Sequence, residues 1–159
     1  MDTKKLLAIQ IAEDKGAPMQ SLESVKAIEG VGIEGDRYAR GKGAFSGVRD
    51  VVRHISLIES EVIQNVRDSN AVDLTFADTR RNLLTAGVCL NDLVGKRFRI
   101  GELLVEGVEL CDPCARPGKL SGKPDLKNFK DLLDNQGGLR VKIIKTGVLN
   151  VGDAIELED

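Results

Sequence analysis

Short apolar runs separated by glycine are the feature that most limits how this chain can fold. Seventeen glycines are distributed among its 159 residues, and they divide most of the Val, Ile and Leu into brief segments. Such segments favour strands, because a helix needs a longer stretch with a 3.6-residue period. Many short strands at a spacing of roughly 8–12 residues are typical of a barrel or a sandwich. We therefore expect a mostly β fold that is closed or nearly closed.

The individual elements are predicted from these runs and from the turn residues between them. We expect a hairpin whose turn is Gly101-Glu102, and a helix that begins after Asp125 and ends at Gly137-Gly138. The glycine-rich segment 31–47 lacks the periodicity of either a helix or a strand. The predicted strands are 5–12, 25–28, 53–58, 98–100, 103–110, 139–146 and 154–157, and the predicted helices are 60–67 and 126–133, with one helical turn at 90–94.

Length and charge exclude several classes of protein. At 159 residues the chain suits one domain, 1–159, with its core between about residues 5 and 157. The 23 basic and 25 acidic residues give a net charge of -2, and only 3% of residues are aromatic. This composition offers neither the basic surface nor the stacking platforms that nucleic acids require, nor a basic surface for anionic membranes.

The compartment is predicted from the cysteines and from the apolar runs. Three cysteines do not make a disulfide framework. The first residues lack the apolar core of a signal peptide, and no run approaches the ~18 residues of a spanning helix. We expect a soluble protein of the reducing cytoplasm.

The two cysteines in Cys111-Asp112-Pro113-Cys114 are the leading candidates for chemistry. They follow a predicted strand and open a loop rich in proline and glycine, and no helix is expected directly after them. Thiolates are strong nucleophiles and soft metal ligands, and the nearby Arg116 and Lys119 would favour the thiolate form. A zinc site is the alternative, but only the sequence-distant His54 and Cys89 remain as further ligands. A redox dithiol is a second alternative, but such a pair normally lies at a helix N-terminus, which is not expected here. Two inert loop thiols are the third alternative.

Two glycine- or arginine-rich motifs have the composition of anion sites. The first contains Gly35, Asp36 and Arg37, with the further cations Arg40 and Lys42 close behind in the sequence. Glycine lets a backbone approach a ligand closely and expose its N–H groups. Taken alone, this motif is also typical of a surface turn.

The second motif is Arg80-Arg81-Asn82. Neighbouring guanidinium groups are favourable only when solvated or opposite an anion, and arginine suits phosphate or carboxylate as a bidentate partner. On its own the pair would be a solvated surface. Two other residues are predicted to have no chemical role: His54 as a non-catalytic strand histidine and Cys89 as a small buried apolar residue.

In this order, these motifs resemble those of the MOSC family, which is named after the C-terminal domain of molybdenum-cofactor sulfurases. The resemblance extends over nearly the whole chain, from about residue 5 to residue 157. Each motif is short, but five in the right order are far more specific than one. The matching segments are GIEGDRY (32–38), RRNLLTAG (80–87), LNDLVGKRFRIG (90–101), LCDPC (110–114) and GVLNVGD (147–153).

The resemblance implies a β-barrel with a few short helices and a role in molybdenum-cofactor metabolism. By motif position the family's characteristic cysteine is Cys114, either as a sulfur-carrying persulfide in a sulfurtransferase or as the thiolate ligand of molybdenum. Cys111 would accompany it. The resemblance also implies that the pterin phosphate is held, and the pocket shaped, by Gly35, Asp36, Arg37, Arg80, Arg81 and Asn82.

The resemblance also leaves two other functions open. One is a non-enzymatic module that binds the pterin or oxyanions, and the other is a molybdenum-dependent reductase of N-hydroxylated substrates with external electron donors. The chain has no room for the pyridoxal-phosphate desulfurase domain of the larger sulfurases, so we expect no pyridoxal phosphate to bind here. A separate cysteine desulfurase or a molybdoenzyme would then be the protein partner.

Overall fold

A computed structural model of the chain describes residues 4–14, 16–37, 39, 54–111 and 116–158. The described part is mostly β, as the sequence predicts. Its strands are β1 (Lys5–Ile11), β2 (Gln20–Leu22), β3 (Ser24–Ile28), β4 (Gly32–Ile33), β5 (Ile55–Glu59), β6 (Leu83–Ala86), β7 (Arg97–Ile100), β8 (Leu103–Leu110), β9 (Leu139–Lys145), β10 (Gly147–Asn150) and β11 (Ile155–Leu157). Its helices are α1 (Ser60–Asn70), α2 (Phe76–Thr79), α3 (Arg116–Ser121) and α4 (Phe129–Leu132), with 3-10 turns at Leu90–Leu93 and Pro124–Leu126.

The strands form two sheets. The larger sheet has eight strands in the order β11-β7-β8-β9-β5-β6-β1-β2, and the smaller has the order β10-β3-β4. Among the described strands only β5 and β6 pair in parallel, because α1 and α2 carry the chain back between them. The predicted hairpin is confirmed: Ile100 pairs with Leu103 across the Gly101-Glu102 turn.

The expected closed barrel is not found in the described residues, where both sheets are open. A single bridge between Lys5 and Ala154 brings the free edge of β1 beside the segment that precedes β11. The rest of that edge, from Ile9 to Ile11, pairs with β2 instead. Closure therefore stops at one bridge because two different segments share the same edge of β1.

Two apolar clusters position these elements. The larger one lies between the sheets, where Ala27 and Ile33 of the small sheet meet strand residues of the large one. The second joins Ile58 on β5 to α1, α4 and the turn that contains Leu126. Alternate residues of β5 thus face different clusters, with Leu57 in the first and Ile58 in the second.

The helices depart from prediction where the pattern was short. The expected helix 126–133 is a 3-10 turn followed by the four-residue α4, and the residue before α4, Asn128, makes no side-chain cap. The 3-10 turn begins at Pro124, so Asp125 lies inside it rather than capping a helix. The prediction lacks helices α2 and α3 and the strands β2, β4, β6 and β10, since each is too short to show a period.

Candidate functional site

The Gly35–Arg37 motif is anchored to the end of β1. Gly35 has φ +86, and a Cβ there would approach the Ile11 side chain to 3.3 Å, so glycine suits this turn. Asp36 is fully buried; its Oδ1 accepts the backbone N–H of Ala12 at 3.0 Å and an Arg37 Nη1–H at 3.1 Å. The Arg37 backbone N–H donates to the Ala12 carbonyl at 2.7 Å. The sequence motif is thus a buried ion pair that is fixed to a strand end.

The Arg80–Asn82 motif begins where α2 ends. Thr75 and Asp78 form a capping box at the start of α2, and Arg80 ends the helix in the left-handed conformation with φ 58. Arg37 donates from Nη2 to the Arg80 carbonyl at 3.1 Å, so the structure brings the two predicted motifs together. Arg80 itself donates from Nη1 to the Ala17 carbonyl at 2.8 Å.

Asn82 ties three strands together rather than facing solvent. It is fully buried, its Oδ1 accepts the Ser56 backbone N–H at 3.1 Å and its Nδ2 donates to the Gln10 carbonyl at 3.2 Å. The Ser56 hydroxyl also contacts Oδ1 and accepts the Asn82 backbone N–H. These bonds leave the amide committed to β1 and β5, which is the behaviour of a scaffold residue.

Cys111 lies just after β8, close to the glycine pair that precedes β9. Its backbone N–H donates to the Gly138 carbonyl at 2.8 Å, and the residue is 3% exposed. Cys114, with Arg40 and Lys42, lies outside the described residues. The expectation that no helix follows the cysteines is wrong, because α3 begins at Arg116.

A cavity of about 190 Å³ lies between α2 and α3. Arg80 and Asp78 contribute its charged lining, and Pro117 and Leu120 line it from α3. The segment that contains Cys114 therefore begins at the hydrogen-bond network, with Cys111, and ends at this cavity, with Pro117.

Sequence reasoning missed three buried polar residues around the site. Gln10 donates from Nε2 to the carbonyls of Phe76 and Arg81, at 3.0 and 2.7 Å. Ser56 bonds to Asn82, and Arg140 stands opposite Ser56 in the β5–β9 register. The available signal was a polar residue inside an apolar run, as for Gln10 in β1. Arg140 gave no such signal, because β9 also contains Lys142.

His54 and Cys89 lie apart from the network. His54 accepts the Ile143 backbone N–H on Nδ1 at 3.0 Å, and burial together with Lys142 lowers its pKa. The prediction that Cys89 is buried is wrong: the residue is exposed, at the start of a 3-10 turn. Partial desolvation of the thiol and its hydrogen bond with Asp92 raise the Cys89 pKa.

The described residues contain neither a metal-binding cluster nor a membrane-spanning helix. No three His, Cys, Asp or Glu side chains of that part converge on a point where a metal ion could bind, so it contributes no zinc cluster. In the same part of the chain, every helix is too short or too polar to cross a bilayer.

Comparison with known proteins identifies a matching domain family and several similar structures. A sequence model of the MOSC domain matches residues 44–156. The YuaD protein from Bacillus subtilis has a similar structure, with a TM-score of 0.80, 20% identity, and coverage of 98% of this chain and 95% of that one. YiiM from Geobacillus stearothermophilus gives 0.70 and 16%, over 98% of this chain and 75% of YiiM. YiiM from Escherichia coli gives 0.68 and 18%, over 98% and 70%. No curated protein matches the sequence significantly.

Proposed function

Since the chain belongs to the MOSC domain family, we propose that it binds the molybdenum cofactor through the pocket that Arg80 lines and that Cys114 is its reactive thiol. MOSC domains are associated in general with this cofactor. The proposal goes further, to this chain's own residues.

One observation carries the proposal. Motifs around residues 36, 81 and 111, far apart in sequence, are linked by hydrogen bonds at successive residues: Arg37 bonds to Arg80, Arg81 to Gly137, and Cys111 to Gly138. A surface turn or a solvated arginine pair would not be built into a shared buried network. The donor chemistry fits a phosphate-bearing ligand, because Arg80 lines the cavity and arginine suits phosphate as a bidentate partner.

We assign Arg80 to ligand binding and its neighbours in the network to the scaffold. Arg80 lines the cavity and is the residue we assign to the ligand's phosphate. Asp36, Arg37 and Asn82 donate to or accept from the protein itself, so they hold Arg80 and its backbone in place. Removing Arg80 should therefore weaken binding directly, whereas removing Asn82 should first weaken the fold.

In this proposal Cys114 would supply the sulfur chemistry. Its thiolate would ligate molybdenum, or would take the terminal sulfur of a donor persulfide by forming a new S–S bond while the donor cysteine leaves as a thiolate. A separate cysteine desulfurase would provide that persulfide. The bound cofactor would supply redox and sulfur-transfer chemistry at its metal.

The test is the molybdenum content of protein purified natively from a host with an intact cofactor pathway. We expect near-stoichiometric molybdenum in the wild type, a large loss in Cys114→Ser, and no loss in the matched control Cys89→Ser, whose thiol lies outside the network. Molybdenum that survives in Cys114→Ser would refute its role as a metal ligand. Absence of molybdenum from all three proteins, with persulfide mapped to Cys114, would identify a sulfur carrier instead.

Thiol reactivity gives a second readout. If Arg116 and Lys119 favour the Cys114 thiolate, alkylation near neutral pH should be faster at Cys114 than at Cys89, whose pKa is raised. Equal rates, measured by mass spectrometry of the two peptides, would show Cys114 to be an ordinary thiol.

A further inference from the structure

Arg81 differs from Arg80 in what its side chain contacts. It is 8% exposed, and its Nε–H donates to the Gly137 carbonyl at 2.8 Å. Its backbone is also held, since the Thr79 hydroxyl accepts its N–H and Gln10 donates to its carbonyl. The Nε–H of the guanidinium therefore bonds to a loop that is distant in sequence.

That loop, Gly137-Gly138, is itself fixed to the sheet. Gly138 has φ +107, and a Cβ there would overlap the Leu57 carbonyl of β5, so the loop lies directly against that strand. The next carbonyl along, that of Gly138, accepts the Cys111 N–H. Two successive carbonyls thus receive one hydrogen bond from Arg81 and one from Cys111.

We propose that Arg81 is a positioning residue that couples the anion-binding motif to the start of the cysteine segment, and that it does so through the Gly137-Gly138 loop rather than by contacting the ligand. This inference rests on the proposed function, because it assumes that the cysteine segment and Arg80 serve the same bound cofactor. The contacts that carry it do not depend on that assumption.

Two substitutions separate positioning from charge. In glutamine, Nε2 follows Cβ, Cγ and Cδ as Nε does in arginine, so Arg81→Gln retains an N–H donor at the same depth and removes the positive charge. Arg81→Met has similar length and removes both. A positioning role requires Arg81→Gln to resemble the wild type, whereas a ligand-binding guanidinium would be lost in both variants.

The first readout is the labelling rate of the buried Cys111 thiol by a small neutral maleimide under native conditions, followed by peptide mass spectrometry. We expect Arg81→Met to raise this rate by about tenfold, the effect of one lost hydrogen bond on local opening, and Arg81→Gln to stay within about threefold of the wild type. Arg97→Met is the matched control, since Arg97 is exposed and bonds Glu106 instead; it should leave the rate unchanged.

Equal acceleration in both Arg81 variants, or acceleration in neither, would overturn the proposal. If Arg81→Met does not fold, Arg81→Gln alone decides: slow labelling supports positioning and fast labelling refutes it.

Molybdenum content is the second readout, and it separates this proposal from the proposed function. Arg81→Gln should retain molybdenum like the wild type. Loss of molybdenum together with slow Cys111 labelling would mean that the Arg81 guanidinium contacts the cofactor directly, and would overturn the positioning role. If the wild type itself holds none and Cys114 carries no persulfide, the proposed function fails, while the labelling result still decides the role of Arg81.

Discussion

Replacing Asn82 with alanine should destabilise the protein far more than any surface substitution of the same kind. The change removes the acceptor for the Ser56 N–H and the donor to the Gln10 carbonyl, both in the interior. At about 1–2 kcal/mol for each buried group that loses its partner, the free energy of unfolding should fall by about 2–4 kcal/mol. Asn91→Ala is the matched control, because Asn91 makes one exposed bond to the Asn135 carbonyl, and it should cost under about 0.5 kcal/mol.

Urea unfolding followed by circular dichroism measures both variants. With a denaturant slope of about 2 kcal/mol per M, the midpoint of Asn82→Ala should fall by about 1–2 M while that of Asn91→Ala stays near the wild type. Equal midpoints for the two variants would refute the scaffold role. Asn82 would then be available for the ligand contact that the sequence resemblance implies.

Three other perturbations test the surroundings of the site. Gly138→Ala should lower the free energy of unfolding, measured in urea, by about 3 kcal/mol or more, because the new Cβ meets a backbone carbonyl. The control Gly152→Ala should lower it by about 1 kcal/mol, because φ is positive there but space is open. Equal losses in the two variants would refute the clash. The pKa of His54 is lowered in the folded state, so the stabilisation from the neutral side chain is complete above about pH 6.5 and is lost as the pH falls. His54→Asn retains an acceptor for the Ile143 N–H and does not titrate, so the free energy of unfolding should fall less with decreasing pH than in the wild type. An unchanged pH dependence of that free energy would refute the role of His54. Lys123→Met breaks the 2.7 Å pair with Asp78 that ties the segment after α3 to α2, and should cost about 1 kcal/mol and lower Tm by a few degrees, whereas an unchanged Tm would mean that the pair does not stabilise the fold.

Features that depend on neighbouring residues could be predicted from the sequence. The hairpin around Gly101 and the helix from Ser60 follow from local turn chemistry and periodicity, and the structure confirms both. The structure also joins Arg37 to the Arg80 carbonyl, although composition alone favoured a surface turn and a solvated pair. That both residues hold a pterin phosphate, as the resemblance implies, stays a prediction.

Features that depend on distant partners could not be predicted. Nothing in the sequence tells which arginine of the Arg80-Arg81 pair faces the cavity, because the choice rests on where Gly137 lies in the fold. The exposure of Cys89 depends in the same way on how the turn after β6 meets its neighbours. The prediction of a closed barrel is also wrong. Closure depends on which segment pairs with the edge of β1, and that edge pairs partly with β2 and partly with Ala154.

The contact between the first strand and the last turn also determines how the molecule responds to force. Three backbone hydrogen bonds cross that seam: Ile155 to the Lys4 carbonyl, Leu6 to that of Asp153, and Gly152 to that of Leu6. The two segments run antiparallel, and the Lys4 bond lies nearest to both ends of the described chain. Tension applied through those ends would therefore act in an unzipping geometry, in which the hydrogen bonds break one after another, and not in a shear geometry, in which they bear the load together. The sheet should part there at low force, while the longer β8–β9 ladder on its far side stays intact.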